Sequence, residues 1–273
     1  MVGLGDAEGR TLRSSQILQE IRWQMDATPS STDIILVVHN QLPFVKRCVE
    51  TIVVNTKNFT LWVHDNDSDD ETRAYLAGMA SEHGFQVFRS LTNEGFIKPC
   101  NALAALGDSG YLIVVNSDIE VARGWDQAMV GCLQANPHVA QVGYQGAVLG
   151  EDARGVSMAD GKQPDYICGW CFCISRETYE RSGLFDEENL KFAYGEDSDL
   201  SLRLKEQGKG IIALAVQYVF HHGNQTIKAV VKDLKWAASL RESFDANHAY
   251  LRRRWISYLA HERVLLQDQP AHL

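Results

Sequence analysis

Three runs decide the fold: DIILVVHN at 33–40, TLWVHDNDSDDET at 60–72 and YLIVVNSD at 111–118. Each is a short, β-branched, apolar stretch that stops abruptly at polar residues. Between them lie segments with helical spacing, FVKRCVETIVVN (44–55), DETRAYLAGMASEHG (70–84) and IKPCNALAALGD (97–108), and one further short strand, FQVFRS, at 85–90. Short strands alternating with helices of ten or more residues build βαβ units and a mostly parallel sheet, which makes the class α/β. Ile34–Val38 and Leu112–Val115 are apolar on both faces, so helices are expected to cover both sides of that sheet.

Outward from this core, a helix is expected over Trp125–Gln134 and a strand over Val139–Tyr144. GEDARGVSMADGKQPD (150–165) reads as a flexible loop. A compact block follows from Tyr166 to Thr226. From Ile227 to Gln267, Val231, Leu234, Trp236, Leu240 and Phe244 recur at helical spacing, which predicts one or two helices. Residues 1–30 are polar around Ile17, Leu18, Ile21 and Trp23 and read as an arm or short helix. No repeat or low-complexity linker divides the chain, so the expected plan is one domain over 31–226, in halves 31–118 and 119–226, with a helical tail over 227–273.

The 273 residues are 45% hydrophobic and 22% charged, a composition that excludes collagenous, disulfide-framework and disordered classes. With 26 basic against 35 acidic side chains the net charge is −9, which disfavours a nucleic-acid partner unless a local basic patch exists. No leader-like N-terminus or membrane-length apolar run is evident, and the chain reads as cytoplasmic. Cys48, Cys100, Cys132, Cys168, Cys171 and Cys173 sit in apolar stretches, where buried free thiols are expected. Cys168 and Cys171 form a C-x-x-C, but no second pair stands at ligand spacing, and zinc is set aside.

In open α/β sheets, ligands bind where the carboxyl ends of the strands converge. The polar residues there are His39–Asn40, Asp65–Ser68, Asn93–Gly95 and Asn116–Asp118. Helix capping accounts for Ser68 and Asp69 ahead of a helix start, but not for Asp118. Neither G-x-G-x-x-G after the first strand nor a P-loop occurs, so a bound phosphate group would need another source of neutralisation. Mg²⁺ or Mn²⁺ held by a carboxylate such as Asp118 is the economical one, because these ions take few protein ligands and let substrate phosphates complete the shell.

These motifs carry a resemblance. IILVVHN (34–40), HDNDSDDET (64–72), NEGFIKPCN (93–101), YLIVVNSD (111–118), CGWCFCISRETYERSGLFDE (168–187), GEDSDLSLRLKEQG (195–208) and VFHHGNQT (219–226) together resemble the family 2 inverting glycosyltransferases of GT-A fold, especially the rhamnosyltransferase-like branch. The resemblance implies a nucleotide-sugar half over 31–118 and an acceptor half over 119–226. It implies that Val38, Asn40 and Asp65 meet the base, and that Asn93, Gly95 and Asn101 lie near the ribose and diphosphate. Asn116–Ser117–Asp118 stands where the family has its D-x-D-type motif, with Asn116 in place of the first carboxylate and Asp118 in the metal position. Gly169 and Trp170 begin the acceptor side, Glu196–Asp197 matches the E-D pair, and His221 matches a histidine of the metal or diphosphate site, with His222 beside it as the alternative.

Sugar transfer requires a base to take the acceptor hydroxyl's proton, and Asp197, at the start of a helix whose positive end favours its ionised form, is the candidate. Arg203, four residues from Asp199, reads as a structural partner. One base with one metal-bound leaving group inverts the anomeric centre. The implied donor is a UDP, TDP or GDP sugar, and the implied acceptor a glycan, lipid-linked or other hydroxyl. The alternatives are transfer to a modified nucleobase in DNA and a non-catalytic nucleotide-sugar module; a nucleotidyltransferase would carry an N-terminal glycine-rich loop that this sequence lacks. The helical tail, with Arg252–Arg254 between Tyr250 and Trp255, is expected to pack on the catalytic domain; anionic-acceptor contact, peripheral association with the inner membrane surface and a homodimer are left open.

Overall fold

The computed structural model describes residues 4–5, 11–12, 31–161, 163–223, 225 and 234–267. The arm expected over 1–30 lies outside these apart from a two-residue ladder pairing Leu4–Gly5 with Thr11–Leu12. Val231, the first apolar position of the expected tail helix, also lies outside them.

The first half alternates as the runs predict: β1 Thr32–Val38, α1 Leu42–Asn55, β2 Phe59–Asn66, α2 Asp70–His83, β3 Gln86–Ser90, α3 Ile97–Ala104 and β4 Tyr111–Asn116. Every residue of β1 is buried, because its two faces feed two separate cores. Ile34, Leu36 and Val38 pack with Val45, Cys48, Val49 and Ile52 of α1. Ile35 and Val37 pack with Ile97, Cys100 and Leu103 of α3. Asp69 caps α2 by accepting a hydrogen bond from the Thr72 N–H at 2.8 Å, and Gly84 closes it in the left-handed conformation.

The second half continues with β5 Ile119–Val121, α4 Trp125–Ala135, β6 Val139–Gly143, β7 Gly146–Leu149, β8 Gly155–Met158, β9 Tyr166–Ile167, β10 Cys171–Ser175, α5 Arg176–Ser182, α6 Glu196–Glu206, β11 Gly210–Ala213, β12 Val219–His221 and α7 Leu234–Gln267. The central seven-stranded sheet has the order β11-β6-β10-β4-β1-β2-β3. All its pairings are parallel except those of β10, which runs antiparallel to both neighbours. The chain winds from β1 to β2 and β3 on one side and returns to β4 on the other. The crevice where the order reverses therefore opens at the carboxyl ends of β1 and β4.

The loop expected over 150–165 is partly a sheet. β7 pairs antiparallel with both β8 and β9, with Met158 opposite Ala147 and Tyr166 also opposite Ala147. All four residues of β8 are exposed, so no buried face imposes the alternation by which a strand is recognised. Among the described residues the tail is one 34-residue helix, whose Leu240, Leu251, Trp255 and Leu259 are buried. Arg254 pairs with Glu206 at 2.6 Å and lies over the Trp255 ring, so this part of the basic run is spent on packing. The six cysteines are buried and unbridged, with Cys171 and Cys173 both facing the α1 core. Among the described residues no helix is long and apolar enough to cross a membrane.

Candidate active site

A cleft of about 550 Å³ opens at the carboxyl ends of β1 and β4. Loops from both halves line it, and two clusters of ionisable groups meet there.

The first cluster is Glu196–Asp197. Gly195, at φ 88°, turns the chain into α6 and places both carboxylates in its first turn. Asp197 accepts hydrogen bonds from the Gly169 N–H at 3.0 Å and the Ser198 N–H at 2.7 Å. Gly169 suits this approach, since a Cβ there would sit 3.1 Å from that of Asp197. Burial pushes the Asp197 pKa up, and the N–H groups of Gly169 and Ser198 at the helix start partly oppose this. Glu196 is pushed up as well, to about 8, by burial and by the Asp197 charge beside it. Its Oε2 is buried and has no hydrogen-bond partner. The pair therefore prefers to hold one proton and one charge.

The second cluster is Asp118–His221. Asp118 follows β4, and β12 returns antiparallel to β5 with His221 opposite Ile119, which brings the two side chains together. His221 Nε2 lies 3.2 Å from Asp118 Oδ1, yet it is buried without a hydrogen-bond partner, so the two groups face each other off the line a hydrogen bond needs. Burial pushes the Asp118 carboxyl up, but His221 and the Gln225 N–H, at 2.8 Å from Oδ2, hold it below the ordinary value. His222 points elsewhere, 2.7 Å from Glu120. The register thus resolves which of the two adjacent histidines faces Asp118. Trp170 stacks on the His221 ring, with centroids 4.8 Å apart and planes at 16°, and its indole N–H donates to Gln145 Oε1 at 2.9 Å.

An oriented carboxylate and an imidazole with an unsatisfied buried nitrogen are a donor set that suits a divalent cation. Among the described residues no group of three or more His, Cys, Asp or Glu side chains could hold a metal ion. A cation here would need further ligands from substrate oxygens or solvent.

The wall at the carboxyl ends of β2 and β3 is a buried amide network. Asn66 Nδ2 donates to Asn93 Oδ1 at 2.8 Å and to the Gly95 carbonyl at 2.7 Å, while its Oδ1 accepts from the Glu94 N–H at 2.9 Å. Asn93 Oδ1 also accepts the Gly95 N–H at 2.9 Å. Gly95 is at φ 81°, and a Cβ there would lie 2.4 Å from the Phe192 carbonyl oxygen, so the position admits only glycine without backbone movement. His39 reaches the cleft and is held by a 2.7 Å hydrogen bond between Nδ1 and the Asn66 carbonyl.

Of the residues singled out from the sequence, Asn93, Gly95, Asn116, Ser117, Asp118, Gly169, Trp170, Glu196, Asp197 and His221 all line this cleft. Four others do not. The Val38 side chain is wholly buried in the core, and Val37 faces the cleft instead. Asn40 ties two loops together, its Oδ1 accepting the Asp69 N–H at 2.7 Å and its N–H donating to Ser68 Oγ at 2.9 Å. Both oxygens of the buried Asp65 are engaged, one by the Ser68 N–H and the other by Arg89. Asn101 clamps the backbone of Phe185, accepting from its N–H at 3.0 Å and donating to its carbonyl at 2.8 Å.

Sequence reasoning missed part of the wall. Phe244 and His248 of α7 line the cleft, beside Phe192 and Tyr194, with the Tyr194 and Phe244 rings edge to face at 5.3 Å. In the sequence Phe244 reads only as an apolar position at helical spacing.

Solved structures share this architecture. The chain aligns with GalNAc-T7 crystallised with UDP, GalNAc and Mn²⁺ at a TM-score of 0.62 and 16% identity, over 72% of this chain and 44% of that one. It aligns with the mannosyltransferase PcManGT from Pyrobaculum calidifontis, in complex with GDP-Man and Mn²⁺, at 0.55 and 15%, over 94% and 83%. It aligns with S. aureus TarS in complex with UDP-GlcNAc at 0.55 and 15%, over 69% and 57%. At these identities the likeness speaks to the fold, and this chain spans under two thirds of GalNAc-T7 and of TarS. No curated protein sequence matches the chain. The sequence profile of Glycosyl transferase family 2 matches residues 33–183, more than half of the chain. By that match, on a GT-A architecture, the chain belongs to glycosyl transferase family 2.

Proposed function

We propose that this glycosyltransferase moves a hexosyl or deoxyhexosyl unit from a UDP, TDP or GDP sugar to an acceptor hydroxyl, with inversion, in glycan or glycoconjugate synthesis. The observation that carries the reading is the juxtaposition, in one cleft, of the Glu196–Asp197 pair and the Asp118–His221 pair.

The chemistry follows from that arrangement. The acceptor oxygen attacks the anomeric carbon as its proton passes to a carboxylate, and the bond from that carbon to the diphosphate oxygen breaks. Asp197 is the base. Asp197, which accepts two backbone N–H bonds, is assigned the pair's charge, and Glu196, whose buried Oε2 has no hydrogen-bond partner, its proton. The two backbone N–H donors orient the Asp197 carboxylate without neutralising it. Asp118 and His221 would hold the Mn²⁺ or Mg²⁺, which when bound supplies Lewis-acid stabilisation of the departing diphosphate. Trp170, fixed by Gln145, orients His221. A single displacement with one base inverts the anomeric centre.

On the donor side, Asn93, Gly95, Asn116 and Ser117 present polar groups at the crevice, beside His39 and Asn66. On the acceptor side, Gly169 and the half-buried rings of Phe192, Tyr194 and Phe244 form a wall suited to the face of a sugar ring. The test is a panel of nucleoside-diphosphate sugars with Mn²⁺ or Mg²⁺, read as donor hydrolysis and transfer. Turnover of one donor class supports the reading; nucleotide binding with no turnover of any donor would make the chain a binding module.

A further inference from the structure

We infer that Asn247 of α7 is a positioning residue for the catalytic carboxylates, acting through the backbone of residues 191–195; this rests on the reading of Asp197 as the general base. The segment leading into Glu196–Asp197 is conformationally unfavourable on its own. Phe192 has φ 59° and Tyr194 φ 78°, left-handed values that bulky side chains rarely adopt, and Gly195 follows at φ 88°. Something must hold this segment, and Asn247 is wholly buried against it.

Its amide reads the segment almost residue by residue. Oδ1 accepts the Lys191 N–H at 2.8 Å. Nδ2 donates toward the carbonyls of Lys191 at 2.8 Å, Ala193 at 3.1 Å and Tyr194 at 2.8 Å. Two amide hydrogens thus serve three carbonyls, and the contacts fall within the four residues that precede Gly195. From the opposite side, the Phe192 carbonyl accepts the N–H groups of Phe96 at 2.6 Å and Ile97 at 3.2 Å, at the start of α3.

The same helix holds the other end of the pair. Trp255, eight residues or roughly 12 Å further along α7, donates its indole N–H to Asp199 Oδ1 at 2.9 Å. Asp199 in turn binds Arg203 at 2.7 Å, and Arg203 reaches the Ser182 carbonyl at 2.6 Å. Residues 191–194 and Asp199 are therefore fixed to one rigid element, with Glu196 and Asp197 between the two attachments. α7 is a splint, and it lies wholly beyond the region matched by the family profile.

The experiment compares full-length Asn247→Ala with Leu259→Ala. Leu259 is a buried residue of the same helix that shares neither attachment, so its truncation destabilises the core without touching the segment. For Asn247→Ala the expected result is a fall in kcat for transfer on the order of 30-fold, with donor affinity in the presence of Mn²⁺ within about threefold of wild type. Amide hydrogen exchange over 191–199 should accelerate. Leu259→Ala should keep kcat and that exchange pattern within about threefold at an equal or larger loss of melting temperature. Equal kcat losses in the two variants, unchanged exchange over 191–199, or donor affinity falling in step with kcat would overturn the proposal. Asn247→Ser, which keeps a hydroxyl, replaces Asn247→Ala if the latter does not fold. Failure of both to fold would mark Asn247 as a general stabiliser and count against the inference. If wild type turns over no donor, the functional reading fails by itself, while the exchange comparison still decides whether Asn247 orders the segment.

Discussion

Gly95→Ala separates two costs that are usually confounded. Gly95 and Gly84 have nearly the same left-handed backbone, φ 81° and 75°, so an alanine at either bears the same conformational penalty of about 1 kcal/mol. Their surroundings differ. A Cβ at Gly84 would have no heavy atom within 4 Å, whereas at Gly95 it would lie 2.4 Å from the carbonyl oxygen and 2.5 Å from the Cα of Phe192. Backbone cannot rotate aside as a side chain does, so Phe192 must retreat by about 1 Å, at an overpacking cost of about 1–3 kcal/mol. That retreat also strains the hydrogen bonds from Phe96 and Ile97 and drags the segment that positions Glu196. The expectation is a loss of about 1 kcal/mol for Gly84→Ala with kcat intact, and about 3 kcal/mol for Gly95→Ala with kcat reduced tenfold or more. Urea unfolding and steady-state transfer measure both. Equal stability losses within about 0.5 kcal/mol would refute the reasoning, since they would show that the Phe192 backbone gives way freely.

Three further outcomes can be checked together. In metal-free protein, the folded state keeps up to about pH 8 a Glu196 proton that the unfolded chain releases near the ordinary 4.5. Stability from this group is therefore full below that window and lost as pH rises through it, with a slope of at most about 1.4 kcal/mol per pH unit. Glu196→Gln should flatten the decline, and parallel unfolding curves for variant and wild type would sink the assignment. His221→Ala and Asp118→Asn should each weaken Mn²⁺ binding, measured by calorimetry with nucleoside diphosphate present, by about tenfold or more, while His222→Ala should not. Trp170→Leu should weaken Mn²⁺ binding by a smaller factor, because it loosens His221 without removing a ligand; an unchanged affinity would deny the stack its orienting part.

Residues whose function is local were legible in the sequence. Asp118 stands at the end of a doubly buried strand, where capping does not explain it, and in the structure it lies in the cleft 3.2 Å from His221. Asp199 and Arg203 are four apart on one helix and form the expected pair. What escaped depends on contacts distant in sequence. Asn247 meets Lys191 across 56 positions and Phe244 lines a cleft assembled by the other half, and neither relation leaves a periodic trace. The β7–β9 sheet escaped because its outer strand has no buried face. The burial that pushes the Asp197 pKa up belongs to the assembled fold and leaves no local trace in the sequence.

The central claim is that Asp197 takes the acceptor's proton from a position that does not bind the donor. Asp197→Asn keeps the shape and the contact with the Gly169 N–H while removing basicity. The measurement is transfer kcat alongside donor dissociation constant, with Mn²⁺, for wild type and variant. The account predicts a fall in kcat of about 10³-fold or more with donor affinity within about threefold. Retained transfer, or donor affinity lost in proportion to kcat, would contradict it.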